Sequence, residues 1–193
     1  VLKYLFDENE FLSPFGVRSL SRVHKDHPYV MHDAATGAEH RVDYDPAEST
    51  TSMFGGNSNW RGPVWFPINF LIIEALERYH HFYGDDLRVD YPAPGGGKRR
   101  ATLQEAADDL RARLVSLFLP DAQGRRPCFG SDARFATDPH YRDLVLFHEY
   151  FHADTGQGLG ASHQTGWTAL VAPMLRDIVK KRGRRGDRPA GGV

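Results

Sequence analysis

Two histidines and a glutamate stand at a spacing that zinc hydrolases use. The segment His148-Glu149-Tyr150-Phe151-His152 reads H-E-x-x-H. On a helix, such histidines lie one turn apart and bind zinc, while the glutamate activates water. A catalytic zinc needs a third protein ligand, which here could only be His163, Asp154 or Asp177, because no glutamate follows Glu149. A zinc hydrolase is therefore the lesser alternative, and we expect neither a metal nor another cofactor.

A glycine-rich segment fits a dinucleotide-binding pattern. Residues 156–161 read G-Q-G-L-G-A, which matches G-x-G-x-x-A. This pattern indicates a nucleotide site only within a strand, helix, strand unit. The helix predicted after it leads into a basic C-terminal segment and not into a second strand. We interpret the segment as a turn in which glycine lets another part of the chain approach closely.

A third group of residues is typical of carbohydrate sites. Residues 55–65 read G-G-N-S-N-W-R-G-P-V-W, with two tryptophans, an arginine and two asparagines. Aromatic faces cover the C–H surface of a sugar ring, and amide and guanidinium groups hydrogen-bond its hydroxyls. The segment therefore predicts a sugar-binding loop, to which Glu149 would supply a carboxylate. The alternative is a loop that its tryptophans bury against the helices.

Four segments together resemble the C-terminal part of glycoside hydrolase family 63. This family includes processing alpha-glucosidases and related mannosylglycerate hydrolases. The segments are F-L-S-P-F-G with R-S-L-S at 11–21, N-W-R-G-P-V-W at 59–65, H-E-Y-F at 148–151, and G-L-G-A-S-H-Q-T-G-W at 158–167. Their order is that of the family, and the similarity extends to about Lys180. The W-R-G-P-V-W and T-G-W elements are the specific ones.

The resemblance implies a fold, a reaction and a set of site residues. The fold class is all-α, with residues 1–180 as the C-terminal portion of an (α/α)6 toroid that has long loops and one small β-hairpin. The reaction is inverting hydrolysis of alpha-glucosides or alpha-mannosides, in which an acid protonates the leaving oxygen and a carboxylate base activates water. Glu149 corresponds to the base. The residues that correspond to the sugar pocket are Asn59, Trp60, Arg61, Trp65, His163 and Trp167.

The family's general acid has no counterpart in a matching motif. In the family it is an aspartate well upstream of W-R-G-P-V-W, whereas Asp7, Glu8 and Asp33 lie in no such motif. An inverting pair of carboxyl groups stands about 6.5–9.5 Å apart. We therefore expect a C-terminal half that is inactive without the N-terminal half of the catalytic domain. A carbohydrate-binding fragment without catalysis is the alternative.

Hydrophobic periodicity predicts two helices that would carry these loops. The first begins near Pro67, a residue suited to an early helical position, and ends at Gly84. Its periodicity places one set of apolar residues on a single, buried side: Ile68, Leu71, Ile72, Ala75, Leu76, Tyr79 and Phe82. The second begins with Thr102 and Glu105, which form a capping-box pair, and ends before Pro120. Long loops rich in glycine, proline and aromatic residues join the helices, and loops of that length usually carry function.

Three further elements follow from local signals. A third helix is predicted to begin at Ser162 or Thr165, with Pro173 either at a kink or in the first turn of a later start. The pair Asp138-Pro139 predicts another helix start. A β-hairpin is predicted around the turn at 36–37.

Composition and charge exclude several classes of protein. The 193 residues are 40% hydrophobic and 25% charged, with a mean hydropathy of −0.51, which is typical of a globular protein. No run approaches the about 18 apolar residues of a membrane span, so no membrane partner is expected. The single cysteine, Cys128, cannot form an internal disulfide, which favours a reducing, cytoplasmic location.

The net charge of −1 is the sum of an acidic main part of the chain and a basic C-terminal segment. Residues 181–193 are predicted to be a disordered basic tail. An acidic body argues against a nucleic-acid partner, whose binding face would be basic. The expected partner is instead an oligosaccharide or a small glycoside.

Overall fold

Helices, short strand pairs and long connections make up the chain. In the computed structural model, residues 1–52 and 59–186 are described. The helices are α1 (Leu2–Leu5), α2 (Phe66–Tyr83), α3 (Leu103–Ser116), α4 (Arg134–Thr137), α5 (Thr165–Thr168) and α6 (Val171–Gly186). The strands are β1 (Leu12–Ser13), β2 (Gly16–Val17), β3 (Tyr29–His32), β4 (Glu39–Val42), β5 (Arg88–Pro92), β6 (Lys98–Thr102), β7 (Tyr150–Phe151) and β8 (Gly158–Leu159).

The all-α prediction is only partly correct. Within residues 1–52 and 59–186, the strands form four antiparallel pairs, β1–β2, β3–β4, β5–β6 and β7–β8. The predicted hairpin is confirmed as β3–β4, with Tyr29 opposite Val42. The other pairs arise because a connection between helices folds back on itself and so satisfies its own backbone groups. The structure is therefore helical with small antiparallel strand pairs.

The predicted ends of the first helix and the predicted start of the second are confirmed, while α3 ends at Ser116, a few residues before Pro120. Pro67 lies in the first turn of α2, and Gly84 ends the helix with its N–H donating to the His80 carbonyl oxygen at 2.7 Å. Helix α3 begins with the predicted capping box. The Thr102 hydroxyl accepts from the Glu105 N–H at 3.2 Å, and the Glu105 carboxylate accepts from the Thr102 N–H at 2.7 Å.

The later elements differ in part from the predictions. The third helix is split into α5 and α6, with Pro173 in the first turn of α6, as in one of the two alternatives. The predicted helix start at Asp138-Pro139 is wrong, because Asp138 instead ends α4. Helix α6 continues to Gly186, beyond the predicted start of the tail, and residues 187–193 lie outside the described part of the chain.

Helices α2, α3 and α6 pack around one hydrophobic core, and an ion network ties their polar sides together. The Arg111 guanidinium is 4% exposed and donates to Glu77 at 2.7 Å and to Asp108 at 2.8 Å. Lys181 on α6 approaches the same carboxylates, at 2.5 Å from Asp108. One cluster of charges therefore joins all three helices.

One side of α2 remains uncovered. The core side of the helix buries Phe66, Ile73 and Leu76. A second set of large apolar residues at helical spacing, which the periodicity assigned to the buried side, is exposed and comprises Ile68, Leu71, Tyr79 and Phe82. We call these four residues the α2 stripe. Among the described residues, no helix combines the length and apolar character needed to cross a membrane.

Candidate active site

Backbone pairing brings the tryptophan segment beside the segment that carries Glu149. Val64 and Phe151 exchange two hydrogen bonds, with N···O distances of 2.9 and 3.0 Å. On its other side, Val64 bridges to Arg18, and the Ser19 N–H donates to the Pro63 carbonyl oxygen at 3.0 Å. Residues 62–65 therefore lie between the N-terminal part of the chain and strand β7. This arrangement fixes where Trp65 stands relative to Glu149.

The glycine-rich turn packs directly against the Glu149 segment. Gly160 has φ +66°, and a Cβ on it would lie 2.7 Å from Glu149 Oε2 and 2.9 Å from the Tyr150 ring. A Cβ on Gly158 would overlap the His148 ring. Side chains are excluded at both positions because the neighbouring groups already occupy that space. The interpretation of this segment as a close-approach turn is confirmed.

The Glu149 carboxylate is buried and held by the same turn. Glu149 as a whole is 7% exposed. The backbone N–H of Glu149 donates to the Ala161 carbonyl oxygen at 2.8 Å, and Glu149 Oε2 accepts from the Ala161 N–H at 3.3 Å. Because backbone groups on both sides fix it, the carboxylate has a defined position.

Three aromatic rings gather around Trp65, in the segments that flank Glu149. The Trp65 indole, 2% exposed, stacks on Trp60 with 4.0 Å between ring centroids and 2° between ring planes. Tyr150 stacks on Trp65 at 4.9 Å, and Trp167 meets Trp65 edge-on at 5.7 Å. Trp60 remains 42% exposed. The structure thus unites three predicted tryptophans and adds Tyr150, whose place next to Glu149 in the sequence was the only signal for it.

Burial and nearby negative charges raise the pKa of the Tyr150 hydroxyl. Burial raises the pKa of Tyr150 to about 12, and the negative charges of Glu48, Glu149 and Asp45 add to that shift. The phenol therefore stays protonated at neutral pH. The sequence analysis did not single out Asp45 and Glu48, whose negative charges act on the Tyr150 phenol together with that of Glu149.

The predicted amide and guanidinium groups hold a loop in place. Asn59 Nδ2 donates to the carbonyl oxygens of Asp45 and Ala47 at 2.8 and 2.6 Å, and its Oδ1 accepts from the Arg61 N–H at 2.9 Å. Arg61 Nη2 lies 2.9 Å from Asp45 Oδ2. Both side chains are buried. In this structure they position the tryptophan segment, of which residues 55–58 lie outside the described ranges.

His163 and Trp167 occupy different environments. His163 is exposed, and its backbone bridges to Phe147. Trp167 is half-buried against Trp65. Of the six residues predicted for the pocket, the three tryptophans thus cluster, Asn59 and Arg61 brace the loop beside them, and the His163 side chain points to the surface.

A buried polar cluster that the sequence analysis missed supports this frame. Arg18 Nε donates to the Tyr44 hydroxyl at 3.0 Å, and Arg18 Nη2 lies 3.2 Å from Asp154 Oδ1. Burial raises the pKa of Tyr44 to about 12. Gly62 has φ +149°, and a Cβ there would lie 2.8 Å from the Tyr44 ring. Arg18 lies within the family-like R-S-L-S segment, which was the available signal.

The zinc alternative fails on geometry. His148 and His152 flank strand β7 and do not lie on a helix. The helical turn that would bring the two rings together to bind zinc is therefore absent from this segment. Within residues 1–52 and 59–186, no three metal-binding side chains converge. The H-E-x-x-H pattern is here a coincidence of sequence.

The chain belongs to a family of glycoside hydrolase domains. Residues 1–168 match the family described as the mannosylglycerate hydrolase MGH1-like glycoside hydrolase domain, and the chain belongs to it. Over 92% of its length it is 51% identical to an uncharacterized protein of Saccharomyces cerevisiae, YMR196W. It is 26% identical to the probable mannosyl-oligosaccharide glucosidase of Schizosaccharomyces pombe, also over 92% of this chain.

A third relative, the mannosyl-oligosaccharide glucosidase of Saccharomyces cerevisiae, is 27% identical over 63% of this chain. All three relatives are far longer than the sequence described here. The chain spans 16%, 15% and 11% of their respective lengths.

Proposed function

We propose that this chain is part of an inverting glycoside hydrolase for alpha-glucosides or alpha-mannosides, with Glu149 as the general base. The observation that carries the proposal is the buried Glu149 carboxylate, which the Ala161 N–H fixes close to the Tyr150 ring that stacks on Trp65. Membership of a glycoside hydrolase family supports the same reaction class.

The surroundings of Glu149 suit a base. A carboxylate base takes a proton from water as that water attacks the anomeric carbon, and the backbone contacts of Glu149 hold its carboxylate in a defined position for this role. The exposed part of Trp60 offers an apolar face to the sugar ring. Tyr150 is protonated at neutral pH and adds no further negative charge beside Glu149.

We propose that the general acid lies outside this sequence. Of the early carboxylates considered above, Asp33 accepts hydrogen bonds from Thr36 and the Ala35 N–H in the β3–β4 turn, and Asp7 lies near Lys98. The much greater length of the relatives leaves room for an upstream aspartate. Residues 1–180 would then be one portion of an (α/α)6 catalytic domain and inactive alone.

The α2 stripe supports this arrangement. Four large apolar side chains at helical spacing stand exposed on one side of α2, and such a surface normally packs against another element. In a toroid, a neighbouring helix would cover it.

The test is Glu149→Gln in the complete gene product. Glutamine keeps the shape of the side chain but cannot accept the proton, so kcat on 4-nitrophenyl alpha-glucoside or alpha-mannoside should fall by about 1,000-fold. Sugar binding, measured by calorimetry, should stay within about twofold. The matched control is Glu39→Gln on the exposed β3–β4 hairpin, which should leave turnover unchanged.

Proton NMR of the first-formed product reports the stereochemistry. An alpha-linked substrate should release a beta-configured sugar that later mutarotates. Retained turnover in Glu149→Gln would remove Glu149 from the role of base. Sugar binding by the wild-type complete gene product without any product would favour the carbohydrate-binding alternative.

A further inference from the structure

A buried threonine on helix α5 contacts the segment that carries Glu149. Thr168 is 0% exposed, and its hydroxyl donates to the His148 carbonyl oxygen at 2.6 Å. The start of the same short helix is attached to the neighbouring residue, because the Gln164 N–H donates to the Phe147 carbonyl oxygen at 2.7 Å. Helix α5 is therefore bonded to the Glu149 segment at both of its ends.

The carbonyl group that Thr168 holds belongs to the peptide unit between His148 and Glu149. In a planar trans peptide, the C=O and the N–H point in opposite directions. The C=O of this unit accepts from Thr168 Oγ1, and its N–H donates to the Ala161 carbonyl oxygen at 2.8 Å. The plane of the peptide unit is thus held on two opposite sides, by α5 and by the glycine-rich turn.

The orientation of this plane affects where the Glu149 carboxylate lies. Because the plane includes the Glu149 nitrogen, its rotation changes the backbone dihedral φ of Glu149 and the direction of the Cα–Cβ bond. The hydrogen bond from the Ala161 N–H to Glu149 Oε2 is 3.3 Å long, beyond the usual range of about 2.7–3.2 Å. Rotation of the plane would lengthen or break it. A catalytic group must lie within about 0.5 Å of its productive position, so the plane has to be held.

Helix α5 also contacts the aromatic group. The residue before Thr168 is Trp167, whose ring meets Trp65 edge-on at 5.7 Å. One short helix therefore touches both the tryptophans proposed to bind the sugar and the peptide unit that precedes the proposed base. In an inverting reaction, the base and the sugar must have a defined separation, because the attacking water lies between them. The position of Thr168 suits a residue that maintains this separation.

We propose that Thr168 is a positioning residue for the general base and acts through the peptide unit that precedes Glu149. The proposal rests on the proposed function, in which Glu149 is that base. Thr168 holds the His148 carbonyl oxygen and thereby keeps the Glu149 carboxylate directed at the attacking water. Loss of the Thr168 hydroxyl should therefore lower kcat and change KM little, because the base acts on water in the transition state and does not bind the sugar.

Kinetics of the complete gene product on 4-nitrophenyl alpha-glucoside or alpha-mannoside test this role. Thr168→Val keeps the shape but cannot donate, and it should lower kcat about 10- to 100-fold with KM within about twofold. Thr168→Ser keeps the hydroxyl and should retain kcat within about threefold. If Thr168→Val does not fold, Thr168→Ala replaces it in the comparison with Thr168→Ser, since these two variants differ only in the hydroxyl.

Thr137→Val is the matched control. The Thr137 hydroxyl also donates to a backbone carbonyl oxygen, that of Ala133 at 3.0 Å, but it does so on the exposed helix α4. Its replacement should leave kcat and KM unchanged.

A double-mutant cycle with Glu149→Gln separates positioning of the base from a general structural role. If Thr168 acts through Glu149, adding Thr168→Val to Glu149→Gln should lower the residual kcat by less than about twofold. The same fall in kcat in both backgrounds would indicate a structural role and overturn the proposal. An unchanged kcat in Thr168→Val would also overturn it, while wild-type turnover that Glu149→Gln abolishes would leave the proposed function standing. No hydrolysis by the wild type, or full turnover in Glu149→Gln, would overturn both.

Discussion

The helical layer and the Glu149 region are held together in different ways. In the layer of α2, α3 and α6, buried apolar residues recur at helical spacing, and Arg111 and Lys181 together link the three helices through Glu77 and Asp108. In the Glu149 region, each segment is placed by backbone hydrogen bonds to another loop or short strand. Val64 bonds to Phe151, and Ala161 bonds to Glu149.

This difference determines which substitutions each region accepts. A helix face can exchange one apolar residue of suitable size for another at modest cost. The Glu149 region depends on close backbone approach at Gly62, Gly158 and Gly160, where even a methyl group meets a neighbour. The structure of the site therefore depends on these glycines as much as on the side chains that would bind or react with a substrate.

Gly158→Ala should have the largest effect on the Glu149 region and so tests this contrast most directly. The added methyl would overlap the His148 ring, so strand β8 must move away from the Glu149 segment. We expect a loss of about 3 kcal/mol in the local free energy of opening and a fall in kcat. Hydrogen exchange of peptides from 147–161 in the complete gene product measures the first, and the 4-nitrophenyl glycoside assay measures the second.

Gly183→Ala in α6 is the matched control. A Cβ there meets nothing within 4 Å, and alanine in a helix is favoured over glycine by about 0.5–1 kcal/mol. Protection of α6 should therefore rise slightly while kcat stays the same. Equal effects of the two substitutions would contradict the contrast between the regions.

The helical layer should respond most to Arg111→Met. Methionine fills much of the space but leaves Glu77 and Asp108 with Lys181 as their remaining cation among the pairs described above. Both carboxylates are about one-third exposed, which limits the cost, so we expect a loss of about 2 kcal/mol. Hydrogen exchange of peptides from 66–83 and 103–116 should report it.

Arg100→Ala provides the comparison for Arg111→Met. Arg100 pairs with Asp90 on a hairpin where both side chains are 62% exposed, and exposed pairs contribute little. Exchange of the helical peptides should stay unchanged. If Arg100→Ala reduced protection as much as Arg111→Met, burial would not be what makes the network important.

Local signals in the sequence predicted the helical layer well. Pro67, Gly84 and the Thr102–Glu105 capping box act on backbone groups a few residues away, so their effect does not depend on the rest of the fold. The β3–β4 hairpin was predictable for the same reason. The resemblance then led to the tryptophan and Glu149 segments, which the structure places side by side.

What the sequence could not predict depends on long-range packing. Nothing local shows that Asn59 and Arg61 bind the 45–50 loop, because that contact exists only after the chain has folded. The apolar run around residues 150 and 151 fits either a buried helix or a strand. These residues form a strand because they pair with Val64 and β8 after the chain has folded. Helical spacing likewise cannot show which of two apolar sides of α2 is covered in this chain.

Acidification should lower the free energy of opening of the two regions at different pH values, without any substitution. Burial lowers the pKa of His148 below its ordinary value of 6.5. As the pH falls through 6.5, the unfolded chain takes up a proton that the folded Glu149 region does not, so its free energy of opening decreases. Burial would raise the pKa of Glu77, but hydrogen bonds from Gln104 and Arg111 outweigh it and hold the pKa below 4.5. The stabilisation from Glu77 is therefore complete above pH 4.5 and is lost only below it.

Hydrogen exchange between pH 7 and 4, corrected for intrinsic rates, should thus show peptides from 147–161 losing protection first and those from 66–83 and 103–116 later. Because glutamine does not titrate, His148→Gln should abolish the early loss of protection in peptides from 147–161. The later loss in peptides from 66–83 and 103–116 should remain. If both regions lost protection together in the wild type, they would open as one unit. The contrast between a helical layer and a separately stabilised site would then apply to how each region is specified by the sequence and not to how it unfolds.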